Sequence, residues 1–235
     1  MTEVPSRAAT QASARWAGGL YLLVIAAGIF AEVGVREVLI VRGDSAATAA
    51  NIASSESLFR LGFVADLVSA GAYAAVAFLL YALFREASPR LALSSALLGT
   101  AGSLAMIVNL AHLLEALSWL GDAPYLASFA IEQRQALAMA SLRSHGLGYM
   151  VAGIVFGAHL LVLAILILRS GLLPRLLGAL LALAWLGSWT NALASFLALP
   201  FASSLFPWIL LPNLVAEGGL ALWLLAIGVR KARAE

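Results

Sequence analysis

The stretch LAMIVNLAHLLEALSW, residues 104–119, decides the fold because it is a helix-length apolar run that carries polar residues at regular steps. Asn109, His112 and Glu115 recur every three residues, which places them along one side of an α-helix. An ionisable side chain at membrane depth is costly, so it normally faces protein or a water-filled cavity and needs a partner. We therefore expect this helix to belong to a bundle whose other helices supply polar partners.

The composition is that of an integral membrane protein. Of 235 residues, 63% are hydrophobic and 11% are charged, whereas ordinary soluble domains carry about 25% charged residues. The formal net charge is only +2, and the basic residues are scattered along the chain. We therefore expect membrane lipid, and not nucleic acid, as a partner. Because the chain has no cysteine, disulfides, thiolate metal sites and cysteine nucleophiles are excluded.

Six apolar segments have the roughly 20 residues that a membrane-spanning helix needs. They predict an all-α fold, a polytopic membrane protein with a bundle of six transmembrane helices in one membrane domain. The predicted spans are residues 16–41, 60–84, 91–119, 147–168, 172–199 and 205–229. Residues 1–15 are expected to form a cytoplasmic leader, and residues 42–59 and 120–146 to form the two longer outer connections.

The distribution of basic residues predicts the orientation. Nine of the 14 flank the spans on one side: Arg7, Arg15, Arg85, Arg90, Arg169, Arg175, Arg230, Lys231 and Arg233. The other five are Arg36, Arg42, Arg60, Arg134 and Arg143. Since the side richer in Lys and Arg faces the cytoplasm, both termini are predicted to be cytoplasmic. The expected location is the cell's inner, or plasma, membrane.

Both outer connections contain helix signals. Asp44 precedes a run of small residues and is expected to cap a short helix that leads into the second span. Between Asp122 and Arg143, apolar residues alternate with charged ones in a pattern that suits an interfacial helix, either a simple connector or a lid over the bundle mouth.

Polar side chains on all six spans are expected at similar depth, where they would line an outward-facing cavity. The candidate ligand-binding residues are Glu32, Arg36, Arg60, Asp66, Asn109, His112, Glu115, Asn191, Asn213 and Glu217. The i, i+4 spacing of Glu32 and Arg36 predicts an intrahelical ion pair. Arg60 is expected to pair with Asp66 or Glu115.

Three kinds of function stay open. The first is binding or movement of a small amphiphilic or lipid-like ligand in this cavity, without a cofactor. The second is an intramembrane hydrolase or metal-dependent enzyme, with His112, Glu115 and His145 as the candidate metal ligands. The third is a scaffold whose polar residues only hold the bundle together. Close glycine steps such as Gly153 to Gly157 favour tight helix packing within one chain, with homo-oligomerisation as the alternative.

Several blocks of the sequence resemble the DUF4386 family, bacterial polytopic membrane proteins of unknown function. These blocks are RWAGGLYLLVIAAGIFAE from Arg15, GDSAATAANIASSESLFRLGFVADL from Gly43, LLYALFR from Leu79, RSGLLPRLLGALLAL from Arg169 and AEGGLALWLLAIGV from Ala216. The resemblance implies a polytopic membrane fold and leaves the activity open.

Overall fold

The computed structural model describes residues 7–199, 208 and 211–229, and every regular element in that part of the chain is helical. The elements are α1 (Arg7–Ile29), a π-helical segment (Phe30–Arg36), α2 (Glu37–Leu39), α3 (Ser45–Ser54), α4 (Glu56–Phe84), α5 (Pro89–Asn109), α6 (Ala111–Leu120), a 3₁₀ turn (Pro124–Ser128), α7 (Ile131–Ser170), α8 (Arg175–Phe196) and α9 (Leu211–Ala226). The start of the predicted sixth span at residue 205 and the basic tail Arg230, Lys231 and Arg233 lie outside the described residues.

Within the described part of the chain, five helical stretches are long and apolar enough to cross a membrane, and α9 is a shorter apolar helix of 16 residues. The five are Thr10–Leu39, Glu56–Phe84, Pro89–Leu120, Ile131–Ser170 and Arg175–Phe196. The prediction of an all-α polytopic membrane protein is confirmed.

The helices at two places continue further than the sequence pattern indicates. The structure has one helix of 40 residues, α7, where an interfacial helix and a separate span were expected. At 1.5 Å per residue it is about 60 Å long, about twice the hydrocarbon thickness of a bilayer. No proline interrupts residues 131–170. The backbone therefore stays helical from the polar residues at the start of α7 into its apolar part. Similarly, α1 already begins at Arg7, within the expected leader.

The predicted cap at the first outer connection is confirmed. The Asp44 side chain accepts a hydrogen bond from the Ala47 backbone N–H at 2.8 Å, at the start of α3. Gly43 precedes it with φ of +82°, a left-handed conformation that glycine adopts without steric cost. The Thr48 hydroxyl oxygen accepts a hydrogen bond from the Val41 N–H at 2.9 Å, which fixes α3 to the end of the first helix.

Contacts divide the described chain into two compact units, each with its own apolar core. Unit 1 comprises residues 7–25, 71–103 and the described part of 151–229, and its core includes the fully buried Tyr21, Leu163 and Leu220. Unit 2 comprises residues 26–70 and 104–150, and Phe59 and Leu113 lie in its core. Each unit also buries polar side chains, and these mark the candidate functional sites.

Candidate functional site

Unit 2 contains a buried ion-pair cluster centred on Arg36. The Arg36 Nε donates to Glu32 Oε2 at 2.7 Å, and its Nη1 donates to Asp66 Oδ2. Arg36 and Asp66 are each only 7% exposed, while the Glu32 side chain is about half exposed. The predicted pair between Glu32 and Arg36 is confirmed, and the predicted pairing of Arg60 with Asp66 is wrong because Arg36 occupies that carboxylate.

The helix that carries Glu32 and Arg36 is locally a π-helix. The Glu37 backbone N–H bonds to the Glu32 carbonyl, five residues back, and this wider turn persists over Phe30–Arg36. Such segments are rare and are found frequently at functional sites. From this segment the Arg36 guanidinium bonds at the same time to Glu32 on its own helix and to Asp66 on α4.

A second buried pair in unit 2 joins the end of α5 to α7. The Asn109 side chain donates to the His145 backbone carbonyl at 2.9 Å, and its amide nitrogen lies 3.1 Å from His145 Nδ1. Both residues are buried, and His145 lies within electrostatic range of Arg36 and Glu32. Gly148 leaves room for the amide, because a Cβ at that position would overlap the Asn109 side chain. These contacts satisfy buried polar groups and hold the helices in register.

Arg60, His112 and Glu115 lie on the surface of unit 2, although they were expected to line an interior cavity. His112 Nδ1 and Glu115 Oε2 are 3.1 Å apart, and both side chains are more than 40% exposed. Arg60 pairs with Glu56 at 2.7 Å, not with Glu115. Among the described residues, no three His, Asp or Glu side chains are grouped to hold a metal. His112, Glu115 and His145 therefore do not form one ligand set, since His145 bonds to Asn109.

An open groove of about 330 Å³ lies on unit 2 beside Arg60. Its other lining residues are Leu114, Leu117, Ser118, Gly121, Asp122, Ala123 and Tyr125. Arg134 on α7 donates to the backbone carbonyls of Trp119 and Gly121 and so fixes the end of α6, where the groove begins. The groove combines a cation, a carboxylate and apolar walls in one place.

Unit 1 contains a polar cluster of a different kind, formed by Glu217 and two tyrosines. The hydroxyl groups of Tyr21 and Tyr73 are hydrogen-bonded at 3.3 Å, with their rings packed edge to face. The Glu217 carboxyl lies within electrostatic range of both hydroxyl groups and interacts most directly with that of Tyr21. Among the described residues, no Lys, Arg or His pairs with Glu217.

His159, a residue that the sequence did not assign to the site, lies beside this cluster. Its ring packs against Tyr73 with centroids 5.6 Å apart, and it is fully buried. Its Nδ1 lies 2.7 Å from the Ser95 carbonyl oxygen. Because a carbonyl only accepts hydrogen bonds, Nδ1 carries the proton and Nε2 is an acceptor. That buried Nε2 has no hydrogen-bond partner among the described residues.

The other two candidate residues of unit 1 lie on α8 and α9. Asn213 donates to the Ser188 hydroxyl at 2.8 Å, while Ser188 donates back to the Asn213 carbonyl oxygen at 3.1 Å. Asn191 lies one turn beyond Ser188 and is partly buried. The ten candidate residues thus fall into two units, seven in unit 2 and three in unit 1.

Sequence reasoning missed Tyr21, Tyr73 and His159. Tyrosine in an apolar helix is ordinarily a core residue with a polar tip, so its identity gave no warning. The available signal was His159 itself, an ionisable residue within the longest apolar helix.

Comparison with known proteins establishes the family. The family model described as "Domain of unknown function (DUF4386)" matches residues 16–228, most of the chain. No curated protein and no solved structure matches the chain. The chain therefore belongs to the DUF4386 family, whose function is unknown.

Proposed function

We propose that the protein binds a small amphiphilic, lipid-like molecule with an anionic headgroup in the groove beside Arg60. The composition of the groove carries this proposal. The Arg60 side chain, which lines the groove, is 58% exposed. Leu114 and Leu117 supply apolar walls. An amphiphile needs both surfaces, one for its headgroup and one for its acyl part.

The guanidinium of Arg60 has donors to spare for an anion. Its Nε is bonded to Glu56, while the pair is exposed on both sides. An exposed ion pair contributes little, and the remaining guanidinium N–H groups fit the oxygens of a phosphate or carboxylate. Arg60 therefore binds the anionic group without giving up its contact to Glu56.

Asp122 lines the same groove and narrows the ligand class. A second purely anionic group beside this carboxylate would be repelled, whereas an ammonium or hydroxyl group would donate to it. The best match is a headgroup that carries one anionic group and one hydrogen-bond donor, such as a zwitterionic phospholipid headgroup.

Copurified lipid provides the test. Wild-type protein purified in mild detergent should retain such lipids in native mass spectrometry, and Arg60→Gln should lower their affinity by about tenfold or more, because a charge-assisted hydrogen bond is lost. Arg42→Gln is the matched control: Arg42 is an exposed arginine of the same unit and is not among the groove residues. An unchanged lipid profile in Arg60→Gln would refute the proposal.

The orientation is the second part of the proposal: both termini face the cytoplasm, and the groove opens on the outer side of the inner membrane. The excess of basic residues on the terminal side supports it. Because the chain has no cysteine, single exposed cysteines report sidedness directly. A membrane-impermeant maleimide should label Ala46→Cys in intact spheroplasts and should label Ala87→Cys only after permeabilisation. The reverse labelling pattern would show that the termini face away from the cytoplasm and would refute the proposed orientation.

A further inference from the structure

Glu217 is a carboxyl in an apolar helix that has hydroxyl neighbours but no cation beside it. It lies on α9 and is partly buried. An isolated carboxylate in hydrocarbon is strongly disfavoured, and such a group becomes neutral or acquires a cation. No Lys, Arg or His among the described residues pairs with it, so none of these side chains neutralises its charge.

We propose that Glu217 is a proton-binding site, whose carboxyl takes up a proton and releases it beside the hydroxyl pair of Tyr21 and Tyr73. The inference concerns unit 1 alone and is independent of the groove beside Arg60. Proton uptake converts the carboxylate to a neutral carboxylic acid, and release reverses this, so no other reactant is needed. Buried acids with this behaviour are typical of proton pathways in membrane proteins.

The two hydroxyl groups suit both states of the carboxyl. When Glu217 is ionised it only accepts, so Tyr21 donates to it and Tyr73 donates to Tyr21. When Glu217 is protonated it donates to Tyr21, and Tyr21 in turn donates to Tyr73. The direction of the hydrogen bonds between these three groups therefore reverses with one proton.

After the reversal, the hydroxyl hydrogen of Tyr73 needs a hydrogen-bond acceptor. The imidazole packed against the Tyr73 ring belongs to His159. Its Nε2 is an acceptor that is buried and has no partner among the described residues. The side chain packed on the Tyr73 ring thus carries an unpaired buried acceptor, which a small rotation of either side chain could bring to the hydroxyl.

No other charged group around the cluster explains how Glu217 is neutralised. Helix α1 contributes Tyr21 and α4 contributes Tyr73, while α7 contributes His159 against Tyr73. Helix α8 contributes Ser188, which is hydrogen-bonded to Asn213. Helix α5 contributes Ser95, whose carbonyl and hydroxyl oxygens lie 2.7 and 3.1 Å from His159 Nδ1. None of these groups is a permanent cation.

Close packing of α1 against α9 holds the geometry. A Cβ at Gly18 would lie 2.5 Å from the Leu225 backbone nitrogen and 2.6 Å from the Ala221 carbonyl oxygen. Tyr21 lies one helical turn after Gly18, and Glu217 lies one turn before Ala221. The hydroxyl is therefore brought to the carboxyl by two helix backbones in contact.

Infrared pH titration of the full chain in lipid nanodiscs tests the proposal. The wild type should show the C=O stretch of a protonated carboxylic acid that disappears as pH rises and that is lost in Glu217→Gln. Glu86→Gln, the same substitution at an exposed inner turn, should retain it. Tyr21→Phe should keep the band but change its titration midpoint by about one pH unit or more, about tenfold in proton affinity.

Three outcomes would overturn the proposal. The first is a band that persists in Glu217→Gln, and the second is a Glu217 band that does not respond to pH. The third is a band that Na⁺ or K⁺ removes at constant pH, which would assign a metal cation instead of a proton. Because Tyr21→Phe keeps both Glu217 and the aromatic ring, its midpoint remains informative if the Glu217→Gln variant folds poorly.

Discussion

The two units differ in how the acids in their apolar helices are paired. In unit 2, Asp66 and Glu32 share the guanidinium of Arg36, and the salt bridge to Asp66 is buried. In unit 1, the hydroxyls of Tyr21 and Tyr73 lie near Glu217, and no Lys, Arg or His of the described chain forms an ion pair with it. A carboxylate with a permanent cation has no need of an external one, so it acts as a fixed contact between helices. A carboxyl without one depends on exchange with its surroundings.

The largest effect is expected from removing the shared cation of unit 2. Arg36→Met would leave Asp66 buried without a partner, and breaking a buried ion pair on one side typically costs about 3–5 kcal/mol. The free energy of unfolding in detergent should fall by that amount. Arg60→Met is the matched control, since its pair with Glu56 is exposed and should change stability by less than about 1 kcal/mol.

A double variant sharpens this result. Arg36→Met combined with Asp66→Asn removes the uncompensated charge and should recover a large part of the lost stability. Equal losses in the single and double variants would show that the arginine acts through packing of its side chain, and the contrast between the units would then not concern charge.

The next largest effect is expected from the helix contact that positions the hydroxyls of unit 1. In Gly18→Ala the new methyl group meets backbone atoms of α9, which do not rotate away as a side chain does. Overpacking of this kind costs about 1–3 kcal/mol. Gly19→Ala is its neighbour control, because the new Cβ has only the tip of Leu225 at 4.0 Å. Thermal unfolding in detergent should separate the two, and equal stability would contradict the close contact.

The sequence predicted the fold because hydrocarbon thickness sets a minimum length for an apolar helix. It did not predict the π-helical segment at Phe30–Arg36. The spacing of Glu32 and Arg36 fits an intrahelical pair in either geometry, so residue identities do not reveal the wider turn. The continuity of α7 was also missed, since a polar stretch that lacks proline looks like a connection while its backbone remains helical.

The tertiary contacts of the site were missed, while one of its local contacts was predicted. The Glu32 pair with Arg36 follows from four residues of spacing. That Asp66 completes it depends on how α4 faces the first helix. The pair of Arg60 with Glu56 is a local i, i+4 contact that we did not predict. Tyr21 and Tyr73 are 52 residues apart, and neither stands out in an apolar helix, so only their meeting at Glu217 shows their role.

The smallest effect is expected from Glu217→Gln, and it decides the comparison between the units. If the carboxyl is neutral in the folded protein, glutamine matches its charge and shape, and its amide still exchanges hydrogen bonds with Tyr21. The free energy of unfolding at neutral pH should therefore change by less than about 1 kcal/mol. Asp66→Asn, the same change in unit 2, should cost several times more, because it removes one of the two carboxylates that neutralise Arg36. Comparable losses in the two variants would mean that Glu217 is held as a charged structural group, since only a fixed partner makes an amide substitution as damaging there as it is beside a buried arginine.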